Sequence, residues 1–338
     1  MRFITCASYY GTGSSAVTDY VSEFDTVYSF TNEEFRFIQD PDGISDLEFN
    51  LVECFNRHNS GHALKRYKRL VDFYCGNALG RKYTTFFGDK WEKYSYEYID
   101  ALTDFKYHGW WRYDLYDRGS FFYFRKRILN KLLHLTIWRG QIDRQYNSMK
   151  SEITYGSHPS KEKFLKCTQD YIHNLFHSVV PKDMDILMVD QLLPPMNLQR
   201  YLRYFKDPIQ VVVVDRDPRD VFILDKYVWK DGILPNDVET FCKWFKYTRA
   251  HRKEENLNTD NIRFVRFEDL IYKYGDTTSQ LRVWLGLSEK HHKRAGQIFN
   301  PNISKRNTQT WKDLPQSKNE IEYIEANLSE YLYKFPDF

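Results

Sequence analysis

The chain has 338 residues, of which 42% are hydrophobic and 28% are charged, with a formal net charge of +3 at pH 7. These values are typical of a globular protein that is long enough to bury a large core. The balanced charge excludes a protein that binds nucleic acid through its overall charge, so we expect no nucleic-acid partner.

Cysteine usage and hydropathy indicate where the protein works. The five cysteines are scattered and include no CxxC pair, which argues against a disulfide framework and against a zinc site. No leader of charged and then apolar residues is apparent, and no apolar run is long enough to span a bilayer. We therefore expect a cytoplasmic protein without a transmembrane segment.

The chain begins with a strand, a loop and a helix. Arg2–Ala7 is an apolar run with the length of a buried strand, Tyr10–Ser15 contains glycines and hydroxyl residues, and the apolar residues after Ser15 repeat at helical spacing. Such a loop directs backbone N–H groups and a helix N-terminus at an anion, usually a phosphate. Tight surface turns use the same residue types, so the loop alone leaves both interpretations open.

The central region is predicted to be mostly helical and is rich in Tyr, Trp, Lys and Arg. It extends from Ile44 to about Ser157, and a further helix begins at Lys161. Its basic stretches, Lys65–Leu70 and Phe124–Leu133, are typical of solvated helix faces but could also form a basic rim for an anionic ligand. We expect one domain over residues 1–338, with 44–160 as an aromatic-rich helical insertion.

The second half alternates short apolar strands with helices. Strands are predicted at Ile186–Val189, Gln210–Val214 and Ile262–Leu270, and Asp217 and Pro218 have the residue types of a helix N-cap and first turn. This alternation predicts a three-layer α/β fold, with a P-loop-like parallel sheet and helices on both faces.

Three loops follow predicted strands of this sheet. They are Tyr10–Ser15, Asp190–Pro195 and Asp215–Arg219. Ligands of open α/β sheets bind at the carboxyl ends of the strands. We therefore expect the three loops to meet in one crevice.

Three motifs then occur in a specific order. GTGSSAV occupies Gly11–Val17, VVVVDRDPRDVFI occupies Val211–Ile223, and FVRFEDL with LRVWLGL occupies Phe264–Leu270 and Leu281–Leu287. Together they resemble the sulfotransferases that use 3′-phosphoadenosine 5′-phosphosulfate (PAPS). That family has a KSGTT-like 5′-phosphosulfate loop, an R-[ND]-P-[RK]-D 3′-phosphate segment and a YEDL–FLGL pair. The resemblance covers roughly residues 1–37 and 185–311, without the central region.

The resemblance implies PAPS as the sulfate donor and one anion site at each end of the nucleotide. Arg216 would bind the 3′-phosphate. The Lys or Arg that usually begins the family's 5′-phosphosulfate loop is replaced by Gly11. The serine that often stands eight residues after the 3′-phosphate arginine is replaced by Leu224. No metal is chemically required. The residues expected at the 5′-phosphosulfate are Gly11, Thr12, Gly13, Ser14, Ser15 and Ala16, and the segments expected to supply a missing cation contain Arg36, Ser304, Lys305 and Arg306.

A base must take the proton of the acceptor hydroxyl. Family members that act on small molecules use a histidine in a KTHLP-like segment, where this chain has Gln191. Members that modify glycans or protein tyrosines place a glutamate about twenty residues after the loop, in an EExR setting. Glu33, Glu34 and Arg36 match that pattern, so we predict Glu33 or Glu34 as the base, with Glu33 slightly favoured by spacing and Asp190 as the alternative. Both glutamates could also be solvated loop carboxylates.

The resemblance therefore predicts an enzyme that moves the sulfuryl group of PAPS to an acceptor hydroxyl. The EExR pattern and the aromatic, basic insertion favour a carbohydrate acceptor, with the insertion shaping its site. An apolar site built from the same aromatic residues would instead suit a phenol, a sterol or another lipid alcohol. Gly11 and Leu224 leave a third class open, a nucleotide-binding or nucleic-acid-binding protein that keeps the fold without transfer.

Overall fold

A computed structural model describes residues 1–76, 82–146, 149–250, 252, 255 and 257–336. The chain divides into two compact units, the first formed by Met1–Asp40, Lys82–Gly88 and Ile172–Phe338 and the second by Pro41–Arg81 and Asp89–Tyr171. The predicted insertion 44–160 falls in the second unit, apart from residues 82–88. The helices are α1 Ser14–Ser22, α2 Ile44–Glu48, α3 Asn59–Gly76, α4 Lys82–Phe87, α5 Lys90–Leu102, α6 Arg112–Leu135, α7 Lys161–His177, α8 Leu198–Leu202, α9 Pro218–Ile223, α10 Val238–Thr248, α11 Asp269–Tyr272, α12 Tyr274–Trp284, α13 Pro301–Ser304 and α14 Lys318–Asn327.

The strands are β1 Arg2–Ser8, β2 Val27–Glu34, β3 Phe105–His108, β4 Ile153–Gly156, β5 Ile186–Asp190, β6 Ile209–Asp215 and β7 Ile262–Arg266. The first unit contains a five-stranded sheet in the order β2-β5-β1-β6-β7, in which every neighbouring pair is parallel. β1 lies in the centre, with β5 on one side and β6 on the other. The carboxyl ends of these three strands are therefore adjacent, which is where such sheets bind ligands.

Both faces of this sheet are covered, as successive residues of β1 show. The Phe3 ring packs on Phe176 and Phe205, at centroid distances of 5.2 and 5.3 Å. Ile4 and Cys6 belong to the buried cluster on the other face, which also contains apolar residues of α1 and α12. The predicted α/β fold with a parallel sheet and helices on both faces is confirmed. Burial on both faces also explains the unbroken valine run of β6.

The second unit is mainly helical and has an aromatic core. The ring of Tyr98 stacks on that of Tyr171 at 4.7 Å, and the Tyr98 hydroxyl lies 2.8 Å from Oγ1 of Thr168. The prediction of helices missed an antiparallel pair, β3 and β4. The strands have only four residues each and those of β3 are exposed, so no long hydrophobic period marks them.

Several element boundaries differ from the predictions. The helical spacing of Ile321, Ile324, Leu328 and Leu332 predicts a last helix that reaches Leu332, but α14 ends at Asn327. The spacing after Lys161 predicts a helix that reaches Val179, but α7 ends at His177. The third predicted strand stops at Arg266, where a turn towards α11 begins. Among the described residues, no helix is both long enough and apolar enough to cross a membrane.

Candidate active site

The loop between β1 and α1 depends on two glycines with left-handed backbone conformations. Gly11 has φ +71° and Gly13 has φ +86°. A Cβ atom at Gly13 would lie 2.5 Å from Cδ2 of Phe267, and one at Gly11 would lie 3.3 Å from Cζ3 of Trp229. The lysine or arginine that the resemblance would place at position 11 is therefore disfavoured by both the backbone and the neighbouring ring.

Two of the predicted anion-binding residues have internal roles in this loop. The Thr12 hydroxyl is buried, 2.7 and 2.8 Å from the carbonyl oxygens of Tyr9 and Val214. The peptide N–H groups of Thr12 and Ala16 donate to the carbonyls of Tyr9 and Gly13. Thr12 and Ala16 thus shape the loop, and their N–H groups are already used.

The remaining donors lie at the first turn of α1. Within the described chain, the peptide N–H groups of Gly13, Ser14 and Ser15 have no hydrogen-bond acceptor. This is the usual state of a helix N-terminus, whose first N–H groups lack partners within the helix. The Ser15 side chain is exposed, and that of Ser14 is buried. These three N–H groups are therefore unused at the position where the sequence predicts an anion cradle.

Ser14 also contacts a buried carboxyl group at the end of β5. Its Oγ lies 3.3 Å from Oδ2 of Asp190, and Nε2 of Gln191 donates to the same Oγ at 3.1 Å. Among the described residues, Oδ1 of Asp190 has no hydrogen-bond partner. Burial, followed by the negative charge of Glu34, raises the pKa of Asp190 to about 7, although the hydrogen bond from Ser14 opposes the shift. A carboxyl group with such a pKa can exchange a proton near neutrality.

Glu34 lies across from Asp190, because the two residues are register partners at the ends of β2 and β5. The register shifts between Ser29 and Glu34, as at a β-bulge, a feature common beside active sites. Glu34 lines the cleft at the carboxyl ends of the strands, whereas Glu33 is exposed and does not line it. Of the two predicted glutamates, the geometry therefore favours Glu34 over Glu33.

Arg36 is the cation near this carboxyl pair. Its Nη1 lies 3.8 Å from Oε2 of Glu34, and its Nε donates to Oδ1 of Asp40 at 2.9 Å. The Tyr83 hydroxyl accepts from the Arg36 backbone N–H at 2.8 Å. Arg36, one of the candidates for the missing loop cation, also lines the cleft.

Arg216 follows β6 on the other side of the loop. Its side chain is nearly buried, and its guanidinium stacks on the Phe267 ring at 4.4 Å. Nη1 donates to the Gly11 carbonyl at 3.2 Å and Nη2 to the Asn307 carbonyl, whereas Nε has no acceptor among the described residues. Burial lowers the pKa of Arg216, and the nearby acidic residue Asp220 opposes this shift. A buried guanidinium with an unused donor is suited to bind an anion.

Asp215 holds the end of β6 in place without entering the cleft. It is fully buried between Arg249 and Arg252, at Oδ1–Nη2 and Oδ2–Nη1 distances of 2.7 and 2.5 Å. Burial raises the pKa of this carboxyl, but the two arginines outweigh it, so the pKa is lowered overall. Asp215 is thus a charged anchor of the strand end.

The C-terminal loop is attached to α9 by a buried carboxylate. Asp220 accepts hydrogen bonds from the backbone N–H groups of Gln309 and Thr310, at 3.0 and 2.9 Å. This attachment places Asn307 in the cleft. The predicted ligands Ser304, Lys305 and Arg306 immediately precede Asn307 but do not line the cleft.

The predicted loops do converge on one cleft, of about 1010 Å³. Among the described residues that line it, the cations are Arg36 and Arg216 and the acids are Glu34, Asp190 and Asp231. The lining also contains residues that motif comparison did not identify, because they are apolar or isolated in sequence. These are Gln39, Met196, Trp229, Ile233, Trp244, Thr248 and Asn307.

Leu224 does not contribute to the cleft. It is buried where the chain changes from α9 into a π-helical segment, Leu224–Trp229. The same segment carries Trp229 into the lining, so a tryptophan rather than a hydroxyl group reaches the cleft from this part of the chain.

Comparison with known proteins gives only solved structures of low sequence identity. Neither a protein-family model nor a curated protein matches it. Among solved structures, it is similar to a sulfotransferase domain from the curacin biosynthetic pathway (15% identity, 99% of this chain and 98% of that one, TM-score 0.42). It is also similar to retinol dehydratase in complex with androsterone and the inactive cofactor PAP (15% identity, 100% of this chain and 84% of that one, TM-score 0.34). A third similar structure is the sulfotransferase STF1 of Mycobacterium tuberculosis (11% identity, 91% of this chain and 76% of that one, TM-score 0.33). Such remote likeness does not establish function, which the residues of the site must support themselves.

Proposed function

We propose that the chain is a PAPS-dependent sulfotransferase that acts on the hydroxyl group of a carbohydrate. One observation supports this most directly. A single cleft brings together the N–H groups of Gly13–Ser15, the buried guanidinium of Arg216 and a carboxyl group, Asp190, whose pKa is raised to about 7. Two anion-binding points and a proton acceptor are what such a transfer requires.

The residues present fit a nucleotide with phosphate groups at both ends. Gly13, Ser14 and Ser15 offer N–H donors without acceptors in the described chain, and Arg216 offers its Nε. PAPS supplies the activated sulfuryl group when it is bound. We assign the first three residues to its 5′-phosphosulfate and Arg216 to its 3′-phosphate.

The chain's own residues then position and neutralise the reacting groups. With PAPS bound, Asp190 as the carboxylate would accept the proton of the acceptor hydroxyl as the sulfuryl group passes to the acceptor oxygen and the phosphate leaves. The N–H groups of Ser14 and Ser15 stabilise the negative charge left on that phosphate. We assign Arg36 as the cation that replaces the missing loop lysine near the leaving phosphate. The other candidates for this cation, Lys305 and Arg306, lie on the adjoining C-terminal loop. Burial and, after it, the negative charge of Glu34 keep the pKa of Asp190 high.

A second acceptor class has its own support in the cleft. Pro194, Pro195, Met196 and Ile233 form apolar parts of the lining. Such a wall suits a phenol, a sterol or a lipid alcohol, whereas Glu34 and Arg36 provide the polar contacts that a sugar would use. We propose the carbohydrate because these polar side chains lie next to Asp190.

Calorimetric titration with adenosine 3′,5′-bisphosphate tests the nucleotide site. The wild-type chain should bind it, and Arg216→Lys should weaken binding about tenfold or more, because a charged hydrogen bond contributes roughly 1.5–3 kcal/mol. Arg282→Lys is the matched control, since Arg282 lies on α12, outside the cleft, and pairs with the exposed Glu289. Undetectable binding at millimolar ligand would refute the proposal, and equal effects of both substitutions would refute the role of Arg216. Binding without sulfate transfer would indicate the non-enzymatic alternative.

A further inference from the structure

Two histidines lie one turn apart at the end of α7, outside the cleft. His173 and His177 have the i, i+4 spacing that places side chains on the same face of a helix. Their ring centroids are 3.9 Å apart. Both side chains are about one-third exposed, so solutes in the solvent can reach them.

One carboxylate faces both imidazoles. Asp207, in the turn before β6, lies with Oδ2 2.8 Å from Nδ1 of His173 and with Oδ1 3.3 Å from Nε2 of His177. Its side chain is only 11% exposed, so the carboxylate is held against the histidines. The two nitrogens and the carboxylate oxygen all lie within 4.8 Å of one another.

We propose that His173, His177 and Asp207 form a binding site for a divalent transition metal of the zinc class. Two imidazoles and one carboxylate are a donor set that zinc uses in proteins, with water in the remaining position. A tetrahedral zinc ion with bonds of about 2.0–2.2 Å holds its ligand atoms about 3.3–3.6 Å apart. Small rotations of the accessible imidazoles bring the three atoms to that spacing, and the ion then takes the place of the hydrogen bonds to Asp207.

The site lies at the opposite end of β6 from the cleft. Asp207 is two residues before Ile209, where β6 begins, and Arg216 follows its last residue. Seven residues of strand separate the two ends by about 20 Å, at roughly 3.3 Å per residue. The metal therefore has no part in the transfer step. It joins the last turn of α7 to the start of a central strand, so we expect it to stabilise the fold.

Isothermal titration of the chelator-treated full chain with Zn²⁺ tests this site. The wild-type chain should bind one equivalent saturably and show a higher Tm with Zn²⁺ than without it. His177→Ala and Asp207→Asn should each lose this binding event and the Tm increase. The control is His291→Ala, which removes an imidazole that contacts a single carboxylate, Asp25, at 2.8 Å and should leave both readouts unchanged.

Two further comparisons complete the experiment. The Tm values of His177→Ala and Asp207→Asn without metal show whether the loss of Zn²⁺ binding reflects the removed ligand side chain or a damaged fold. His173→Gln serves as an additional variant should either of them unfold. The proposal is overturned if the wild-type chain shows no saturable heat at millimolar Zn²⁺. It is equally overturned if folded His177→Ala and Asp207→Asn bind Zn²⁺ like the wild type, which would assign binding to other groups such as the exposed Cys54.

Discussion

The Oγ atom of Ser14 lies 3.3 Å from Oδ2 of Asp190, which joins the anion-binding turn of α1 to the carboxyl group at the end of β5. The Ser14 side chain therefore lies between the N–H groups that would face the leaving phosphate and the Asp190 carboxyl group that would accept the proton. The contact also holds Asp190 in a buried position, where its pKa rises to about 7. The adjacency of β1 and β5 in the sheet produces this relationship.

The two glutamates that precede Arg36 should differ sharply in their effect on catalysis. Glu34→Gln removes the cleft carboxylate that we assign to the acceptor beside Asp190, so we expect sulfate transfer to fall about tenfold or more, as the loss of a charged hydrogen bond of roughly 1.5–3 kcal/mol would give. Glu33→Gln alters the exposed neighbour and should leave transfer within about twofold, as surface substitutions usually do. Initial rates at saturating PAPS compare them. If only Glu33→Gln loses activity, the base would be Glu33, as its spacing from the loop predicts.

The pH dependence of transfer should depend on Asp190. With a pKa of about 7, the carboxylate form increases as the pH rises from 6 to 8, and kcat/KM should rise with it and level off above pH 8. Asp190→Asn cannot accept the proton and should lose about 100-fold or more of the activity. Asp231→Asn is the control, because Asp231 lines the same cleft and accepts a hydrogen bond from Tyr10. A rate profile that is flat between pH 6 and 8 would contradict the role of Asp190.

The same carboxyl group should make the free energy of unfolding depend on pH. The pKa of Asp190 is about 7 in the folded chain and about 3.9 in an unfolded one. The folded state therefore binds the proton more tightly, so this contribution is fully present below pH 4 and is lost as the pH rises through 7. Asp190→Asn, which stays neutral, should be more stable than the wild type at pH 8, by roughly 1–4 kcal/mol, and should lose more than half of this advantage at pH 5. Urea unfolding at the two pH values measures the difference. An equal difference at both values would contradict the raised pKa.

Gly13→Ala should damage both the fold and the nucleotide site. The new Cβ would meet the Phe267 ring at 2.5 Å, and this ring supports the guanidinium of Arg216. Gly296→Ala is a matched control, because Gly296 also has a left-handed φ, +74°, but has open space around its Cα. We expect Gly13→Ala to cost about 1–3 kcal/mol more than Gly296→Ala and to weaken bisphosphate binding. Equal stability of the two variants in urea would mean that the loop tolerates a side chain.

A buried ion pair should be important for the stability of the second unit. Nζ of Lys65 lies 2.7 Å from Oδ1 of Asp114 and 3.1 Å from Oε1 of Glu152, and both Lys65 and Asp114 are buried. Lys65→Met leaves Asp114 without its cation and should cost about 3–5 kcal/mol. Lys68→Met, at the half-exposed pair with Asp72, should cost at most about 1 kcal/mol. Chemical denaturation followed by circular dichroism compares the two variants, and similar costs would contradict the importance of burial.

The sequence was sufficient to predict the strands β1, β5, β6 and β7 and the convergence of their loops, but not the edge strand β2. The valine run of β6 and the glycine loop after β1 have local patterns that follow from burial and from backbone geometry. The position of Glu34 could not be predicted in this way, because the register shift in β2 changes which glutamate lines the cleft, and residue spacing does not report a bulge. Trp229 was also missed, because it reaches the cleft through a π-helical segment that interrupts the helical period.

The role of Asp190 illustrates a second limit of the sequence. It was predicted as an alternative base from its position after a strand, but its raised pKa depends on burial and on Glu34, which are properties of the fold. Gln191, which stands where a histidine is expected, instead hydrogen-bonds Ser14. A short motif gives the identity of a residue at a position but not its tertiary partners.

Transfer of labelled sulfate from PAPS to a panel of sugar, phenol and sterol acceptors tests the central claim most directly. The account predicts transfer by the wild-type chain to a sugar hydroxyl, a loss of about 100-fold or more in Asp190→Asn, and unchanged nucleotide binding in that variant. Transfer to a phenol or sterol alone would replace the proposed acceptor with the second class. An Asp190→Asn variant that transfers sulfate at the wild-type rate, or a wild-type chain that binds the bisphosphate and transfers sulfate to no acceptor, would contradict the account.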